Sequence, residues 1–461
     1  MITHKIPGFW HALICFVGML AMIVIGVVVY RISIQVLLVL SIIWVSLNSL
    51  YLGYSFIDLK DIMSKGIADA LGAVYIFILI GIVIASFLES GTIAAIVYYG
   101  LDLVYPAFFL PIGLILCAFM SVCVGTMVGT VGTIGIILIG IGGAMGIPLP
   151  IIAGMIIAGA SFGDKMSPVS DTTNMAAIST GTDLYTHIKS MLYTTIPTFV
   201  ICLVLFGFIG MGYADQVLDT EGIVIFKAAI DANFLVSLWG FLPLVVLFGL
   251  SFRRVPAEPA MISASIVAII IALIQQQHEF ISILGSLQNG YSADTGNVDL
   301  DRLLNRGGIL NMMGVLAIAL FSMALGGLLT KVGYVKSMLE GILIHIKSVV
   351  QLLAATMFTG IIASIATGQS YISIVLTAQL FNEKFAEMGL KRRMLSRTIE
   401  ESTTLITPLM PWSLGGAFYS GVLDVPVFDY APWAFLNYLN VFVALAMAAM
   451  GMAIFRNKPA A

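Results

Sequence analysis

One stretch of the chain concentrates residues able to hold a cation or trade a proton. "GASFGDKMSPVSDTTNMA", residues 159–176, places Asp164, Lys165, Ser167, Ser170, Asp171, Thr172 and Asn174 between two almost wholly apolar runs. Hard cations such as Na+ take several oxygen ligands. Asp164 and Asp171 are the candidate Na+ ligands, and Ser167, Ser170, Thr172 and Asn174 add neutral oxygens. A carboxylate inside a bilayer costs about 2.5–3.5 kcal/mol on insertion scales, so it needs a cation or a proton. If the two compete for Asp164 or Asp171, and the chain changes facing only when the site is neutral, the chemistry is exchange of Na+ for H+. Lys165 is either a salt-bridge partner or a residue reaching for the interface.

The same device recurs further along. "EESTTLITPLMPWS", residues 400–413, again sets acids and hydroxyls between apolar runs; Glu401, Thr404 and Thr407 join the candidate set. Two glycine turns add Gly125 with Thr126 in "SVCVGT", and Gln369 in "SIATGQ". Glu89 and Glu400 are further acids beside apolar segments. Proline cannot continue a helical ladder, so Pro168 stops a helix over 151–163. Ser167 is the expected N-cap of the next helix, with Pro168 at its first position and Ser170 and Asp171 in its first turn. Helix halves ending inside the bilayer present carbonyls to a cation and amides to an anionic group.

The elements that must position these residues are membrane helices. Sixty per cent of the 461 residues are hydrophobic and 10% charged, against about 25% charged in an average soluble domain. Apolar runs over 9–30, 34–52, 71–88, 188–209, 234–252, 309–329 and 433–454 reach or approach the roughly 20 residues that cross a bilayer. The first run is too long for a signal peptide and has no small-residue cleavage site, so it reads as a retained helix. The four cysteines lie inside apolar segments without metal-ligand spacing and read as buried thiols. No Walker loop and no basic aromatic patch is present, which argues against ATP-driven transport and nucleic-acid binding.

Internal similarity then organises the chain. "SVCVGT" aligns with "SIATGQ" at a shift of 243, Ser167-Pro168 with Thr407-Pro408 at 240, and Gly91 with Gly333 at 242. The expected architecture is an all-α polytopic membrane protein of two repeats, 1–212 and 234–461, joined by an acidic extracytoplasmic linker, 213–233. Lys60, Lys65 and Lys189 mark one side in the first repeat; Arg253, Arg254 and the cluster Lys384, Lys391, Arg392, Arg393 and Arg397 mark it in the second. Asp215, Asp219, Glu221 and Asp231, and the loop with Asp294, Asp299 and Asp301, mark the other. Equivalent loops thus differ in charge, as expected of inverted-topology repeats with about five transmembrane helices each. The expected first repeat has two crossings, an interfacial helix near 58–70, a third crossing near 71–90, a re-entrant hairpin over 106–147 with its tip at 125–133, and two more crossings. Both termini would be cytoplasmic, in agreement with Arg456 and Lys458.

Three rival functions leave sequence traces. "GASFG" fits the G-x-S-x-G nucleophile pattern, but Ser161 reads better as small-residue helix packing than as a nucleophile. A channel would want a continuous polar lining, whereas the polar residues here cluster at two breaks. A Na+- or H+-coupled carrier of small carboxylates or amino acids is the main competitor, because helix N-termini also suit a substrate carboxylate.

The stretches "GASFGDKMSPVSDTTNMA", "YISIVLTAQLF", "LSRTIEESTTLITPLMPW" and "SGTIAAIVYYGL" resemble the NhaC family of bacterial Na+/H+ antiporters. The resemblance covers most of the chain and implies inverted repeats, re-entrant hairpins, a scaffold with a moving transport domain, and a homodimer working by an elevator motion in the bacterial inner membrane. It carries the family's motif onto Asp164, Ser167, Asp171, Thr172 and Asn174, with Na+ and H+ as cargo and no resident cofactor. It leaves the cargo open, because relatives of this appearance exchange malate for lactate or carry amino acids.

Overall fold

A computed structural model describes residues 5–68, 71–103, 105–213, 220–253, 255–296, 300–301, 304–339 and 346–457, and the elements among them are helical. Of the charges that set the expected orientation, Arg254, Asp215, Asp219, Asp299 and Lys458 lie outside the described residues. Among the described residues, eight helices are long and apolar enough to cross a bilayer, or up to eleven if each bent pair is one span. The chain is a multi-span membrane protein.

The first part runs through α1 (Phe9–Val28), α2 (Ile34–Tyr51), α3 (Phe56–Ala68), α4 (Leu71–Glu89) and α5 (Thr92–Leu103). It continues with α6 (Pro106–Val124), α7 (Met127–Thr130), α8 (Ile136–Ala144), α9 (Leu149–Met166), α10 (Asp171–Thr180) and α11 (Leu184–Met211). Next come α12 (Thr220–Asn233), α13 (Leu242–Phe252), α14 (Ala257–Ile274), α15 (Phe280–Asn289), α16 (Ile309–Lys331) and α17 (Tyr334–Leu339). The last are α18 (Val349–Thr367), α19 (Ser370–Glu387), α20 (Arg392–Thr403), α21 (Leu414–Leu423), α22 (Val427–Tyr430) and α23 (Phe435–Ala449). The stretch expected as a linker is therefore helical over Thr220–Asn233. Its Lys227–Asn233 part meets the next segment at a bend of 91°. The segment after α4 is α5, bent 67° from it.

Burial ranks the helices. The α9 window is 83% buried, against 28% for α11. Phe208, Val200 and Val204 on α11, with Val36, Ile43 and Leu47 on α2, stay exposed on an apolar outer surface suited to lipid. The most extensive contact in the fold joins α6 to α9. Small residues permit it: a Cβ on Gly163 would stand 2.3 Å from the Ala118 carbonyl oxygen, and one on Gly159 2.6 Å from that of Leu114. The G-x-S-x-G pattern is thus a small-residue helix interface. Ser161 sits mid-helix, accepts from Asn437 Nδ2 at 2.9 Å, and occupies no strand–helix elbow.

Two breaks interrupt this packing with one backbone signature. Gly125 (φ 78°) ends α6 and donates to the Ser121 carbonyl at 2.8 Å; Gly368 (φ 66°) ends α18 and donates to Ser364 at 2.9 Å. Left-handed backbone of this kind favours glycine. Ser170 caps α10 and Ser413 caps α21 through their own hydroxyls. Gly181 (φ 64°) closes the first of these helices and Asp424 (φ 56°) the second. All three pairs stand 243 positions apart (368 minus 125, 413 minus 170, 424 minus 181). At that offset Pro168 meets Pro411, which replaces the expected pairing of Ser167-Pro168 with Thr407-Pro408.

Two local expectations are corrected. The irregular tip expected over 125–133 shrinks to Gly125 and Thr126, because the following residues are helical: α7, a π-helical turn Val131–Gly135, then α8. Thr130 donates to the Thr126 carbonyl at 3.0 Å and Thr133 to Gly129 at 2.7 Å, so these hydroxyls are absorbed by the ladder. Ser167 is the C-cap of α9 rather than the N-cap of α10. Its hydroxyl donates to the Val122 carbonyl at 2.9 Å, leaving Ser170 to cap the next helix.

The α6–α9 seam makes a stability prediction. Gly163→Ala should lower unfolding stability by about 1–3 kcal/mol through overpacking, read as a reduced Tm of the purified protein in detergent. Gly207→Ala, with nothing within 4 Å of the added carbon, should leave it unchanged.

Candidate functional site

The α9 C-terminus, the start of α10 and the C-terminal half of α20 converge on one buried polar hub. Asp164 is 8% exposed and lies on the last turn of α9. Thr172 Oγ1 donates to Asp164 Oδ2 at 3.3 Å, and Thr173 Oγ1 donates to the Asp164 carbonyl at 3.2 Å. Ser170 Oγ lies 3.2 Å from Thr172 Oγ1, so three side-chain oxygens stand in series at the break. Thr172 also faces Glu400 of α20. Thr404, one turn later, donates to the Glu400 carbonyl at 2.8 Å and to its Oε1 at 3.1 Å.

Lys165 settles where the sequence left two readings. It is 1% exposed, so it does not reach an interface. The carboxylates whose charge acts on it are Glu400, Glu401 and Asp164, in that order. Among the described residues its Nζ has no hydrogen-bond partner. A buried ammonium facing three acids at a distance, without a direct bond to any, is an electrostatic hub that a small ligand or proton can rearrange.

Glu401 is the compensated acid. Its Oε1 accepts a short hydrogen bond from Thr194 of α11 and lies 4.0 Å from Arg397 Nε. Arg397, a member of the basic cluster expected to mark one side, is 1% exposed. Its Nη2 donates to the Ala453 carbonyl at 3.1 Å. Arg393, one turn earlier, stacks on the Phe455 ring at 3.7 Å. His187 is fully buried within α11, with Nδ1 2.8 Å from Ser396 Oγ. Its neighbours and those of Arg397 were illegible in one dimension, because α20 and α11 are remote in sequence.

Other expected residues divide into positioning groups and a separate cavity. Asn174 Nδ2 donates to the Ser170 carbonyl at 2.8 Å and to Pro168 at 3.1 Å, so its amide holds the break. Thr407 Oγ1 donates to the Thr403 carbonyl at 2.8 Å and lies 2.9 Å from Ser370 Oγ, tying the second break to α19. Gln369 turns its Nε2 onto Met323 Sδ at 2.8 Å. Thr126 caps α7 by accepting from the Gly129 N–H at 3.0 Å. Gly125, Thr126 and Asp171 line a cavity of about 190 Å³ with Leu247, Pro256 and Met261. Asp171 is exposed there and faces Tyr371, the second residue of α19.

Of the two acids expected to share a cation, Asp164 is inside the hub and Asp171 lines the cavity beside it. Tyr371 stands near both carboxylates and near Glu400. Among the described residues no three His, Cys, Asp or Glu side chains converge at metal-binding range. The oxygens that could hold a small cation are the carboxylates of Asp164 and Glu400 with the hydroxyls of Thr172, Ser170 and Thr404. Sequence reading had noted Glu400 as an intramembrane acid without placing it in the site.

The Na+/H+ antiporter family model matches residues 5–173 and 159–452. The Na(+)/H(+) antiporter NhaC of Alkalihalophilus pseudofirmus is 35% identical over 437 residues, covering 95% of this chain and 94% of that protein. The malate-2H(+)/Na(+)-lactate antiporter of Bacillus subtilis is 33% identical over 454 residues, covering 98% and 97%. The arginine/ornithine antiporter ArcD of Halobacterium salinarum is 31% identical over 462 residues, covering 99% and 95%. With that family match spanning almost the whole chain and both helix breaks, this protein belongs to the Na+/H+ antiporter family.

Proposed function

We propose that this chain exchanges cytoplasmic Na+ for external H+ by alternating access, with Asp164 and Glu400 as the groups for which the two ions compete. The observation that carries the reading is the charge arrangement around Lys165. Glu401 is matched by Arg397. Asp164 and Glu400 then stand against the single ammonium of Lys165, an excess of one negative charge inside an apolar bundle. One Na+ or one proton restores neutrality there. An unneutralised excess is costly in low dielectric, so the loaded states are the ones able to reorient. Hydroxyls of Thr172, Ser170 and Thr404 would complete the oxygen shell of Na+, and a proton would sit on either carboxyl.

Asp171, with Gly125 and Thr126, would serve the cavity beside the first break as an approach to this hub. The expected topology belongs to the same proposal: two inverted repeats, a homodimer, an elevator motion, an inner-membrane location and cytoplasmic termini. The shared backbone signature of the two breaks supports the repeats.

A second reading is coupling to an organic cargo. Relatives that exchange malate with lactate, or arginine with ornithine, are about as similar to this chain as the Na+/H+ exchangers.

The decisive measurement is a pH-gradient dye in proteoliposomes, challenged with Na+, Li+ or K+ salts alone and then with malate, lactate or amino acids. Salt alone should collapse the gradient; a response only to organic solutes would replace the first reading with the second. Asp164→Asn and Glu400→Gln should each abolish Na+-driven proton movement while the protein still inserts. Asp171→Asn should raise the Na+ concentration needed for half-maximal response. The compensated pair makes a separate prediction. Arg397→Met should destabilise the protein by about 3–5 kcal/mol by stranding Glu401. Adding Glu401→Gln should recover most of that loss in thermal melts.

A further inference from the structure

A second cavity lies away from the hub. It measures about 560 Å³ and is bounded by the α1–α2 connection, the start of α16 and the end of α21. Most of its wall is apolar, with Val27, Ile84, Met312 and Val315 among the lining residues. Two opposite charges interrupt that wall: Arg306, just before α16, and Asp424, the residue that closes α21.

Arg306 is 9% exposed, and its Nε and Nη1 have no hydrogen-bond partner among the described residues. Buried guanidinium N–H groups are costly to leave unpaired, and their fork geometry fits a carboxylate. The guanidinium is held in place by its backbone. Its carbonyl accepts from the Tyr291 N–H at 3.1 Å, and Gly308, two residues on, donates to the Gly81 carbonyl of α4 at 2.8 Å. Asp424 acts on Arg306 electrostatically. Yet the two side chains form no ion pair within 4.0 Å, the limit at which Arg397 and Glu401 still count as paired. A buried cation and an anion therefore line one cavity without closing on each other.

We propose that this cavity is a binding site for an α-amino acid zwitterion with an apolar side chain, its carboxylate on Arg306 and its ammonium toward Asp424. The charge separation favours a ligand that carries both signs. A dicarboxylate would place its second charge against Asp424, and a simple amine would leave Arg306 unpaired. The apolar wall suits an aliphatic side chain, and the volume lies within the range of small-molecule pockets. The site is separate from Asp164 and Glu400 and does not depend on how cations are exchanged.

Isothermal titration calorimetry on the full-length protein in nanodiscs tests this with three probes of one skeleton. L-leucine carries both charges, 2-hydroxy-4-methylpentanoate the carboxylate alone, and 3-methylbutylamine the ammonium alone. Leucine should bind saturably, the hydroxy acid at least tenfold more weakly, and the amine not at all. Arg306→Gln should weaken leucine and hydroxy acid at least tenfold. Asp424→Asn should erase the advantage of leucine over the hydroxy acid. No saturable leucine binding, equal binding of leucine and hydroxy acid, amine binding as tight as leucine, or leucine binding unchanged in Arg306→Gln would each overturn the proposal. The wild-type probe comparison decides the matter even if Arg306→Gln fails to fold.

Discussion

A charged group inside an apolar bundle must be answered by another charge, and the centre of this fold is arranged around one answer that is incomplete. Lys165 is buried among Glu400, Glu401 and Asp164 without a direct partner among the described residues. Burying a fixed ion pair is often neutral or unfavourable relative to an apolar replacement. An arrangement of this kind is therefore weak as a stability device and strong as a ligand site. The contrast with Glu401 makes the point: that acid has Thr194 and Arg397, whereas Glu400 has only Thr404 and the facing Thr172.

The surrounding helices hold that imbalance in register. The most buried of them, α9, delivers Asp164 and Lys165 at its last turn, and α20 delivers Glu400 and Glu401 on adjacent positions. Both helices end inside the protein, α9 just before Pro168, and hydroxyls of Ser167, Ser170 and Ser413 take up backbone groups near the breaks. Irregular backbone survives here because protein covers much of it and the rest, at Val169 and Asp171, lines a cavity.

Much of this was legible in one dimension, and the exceptions have physical reasons. The apolar runs and the two polar interruptions are strong signals, because hydrocarbon tolerates neither charge nor open backbone. Asp164, Thr172, Thr404 and Thr407 follow from them directly. The cap at Ser170 was displaced by three residues from the expected Ser167, since a serine near a proline can serve either helix. Only the Val122 carbonyl, 45 positions away, decides between them. Gly125–Thr133 looked irregular because glycine and threonine are weak helix formers in isolation. Their neighbours in the fold override that preference. Arg397 shows the same limit: within Lys391–Arg397 it reads as one more basic residue, and only the return of Ala453 and Phe455 places it indoors. Asp171 lines the neighbouring cavity at the start of α10, and only the fold brings Tyr371 of α19 near both it and Asp164.

The glycine seam between α6 and α9 carries a mechanical implication. Helices whose backbones touch that closely cannot slide past one another without a collision, and the Ser167 hydroxyl laces the end of one to the end of the other. The first turn at Gly125 and the carboxylate at Asp164 consequently ride on a single stiff plank. Any rearrangement that admits an ion from one face and discharges it at the other must carry both together, with the compliance located at looser seams elsewhere.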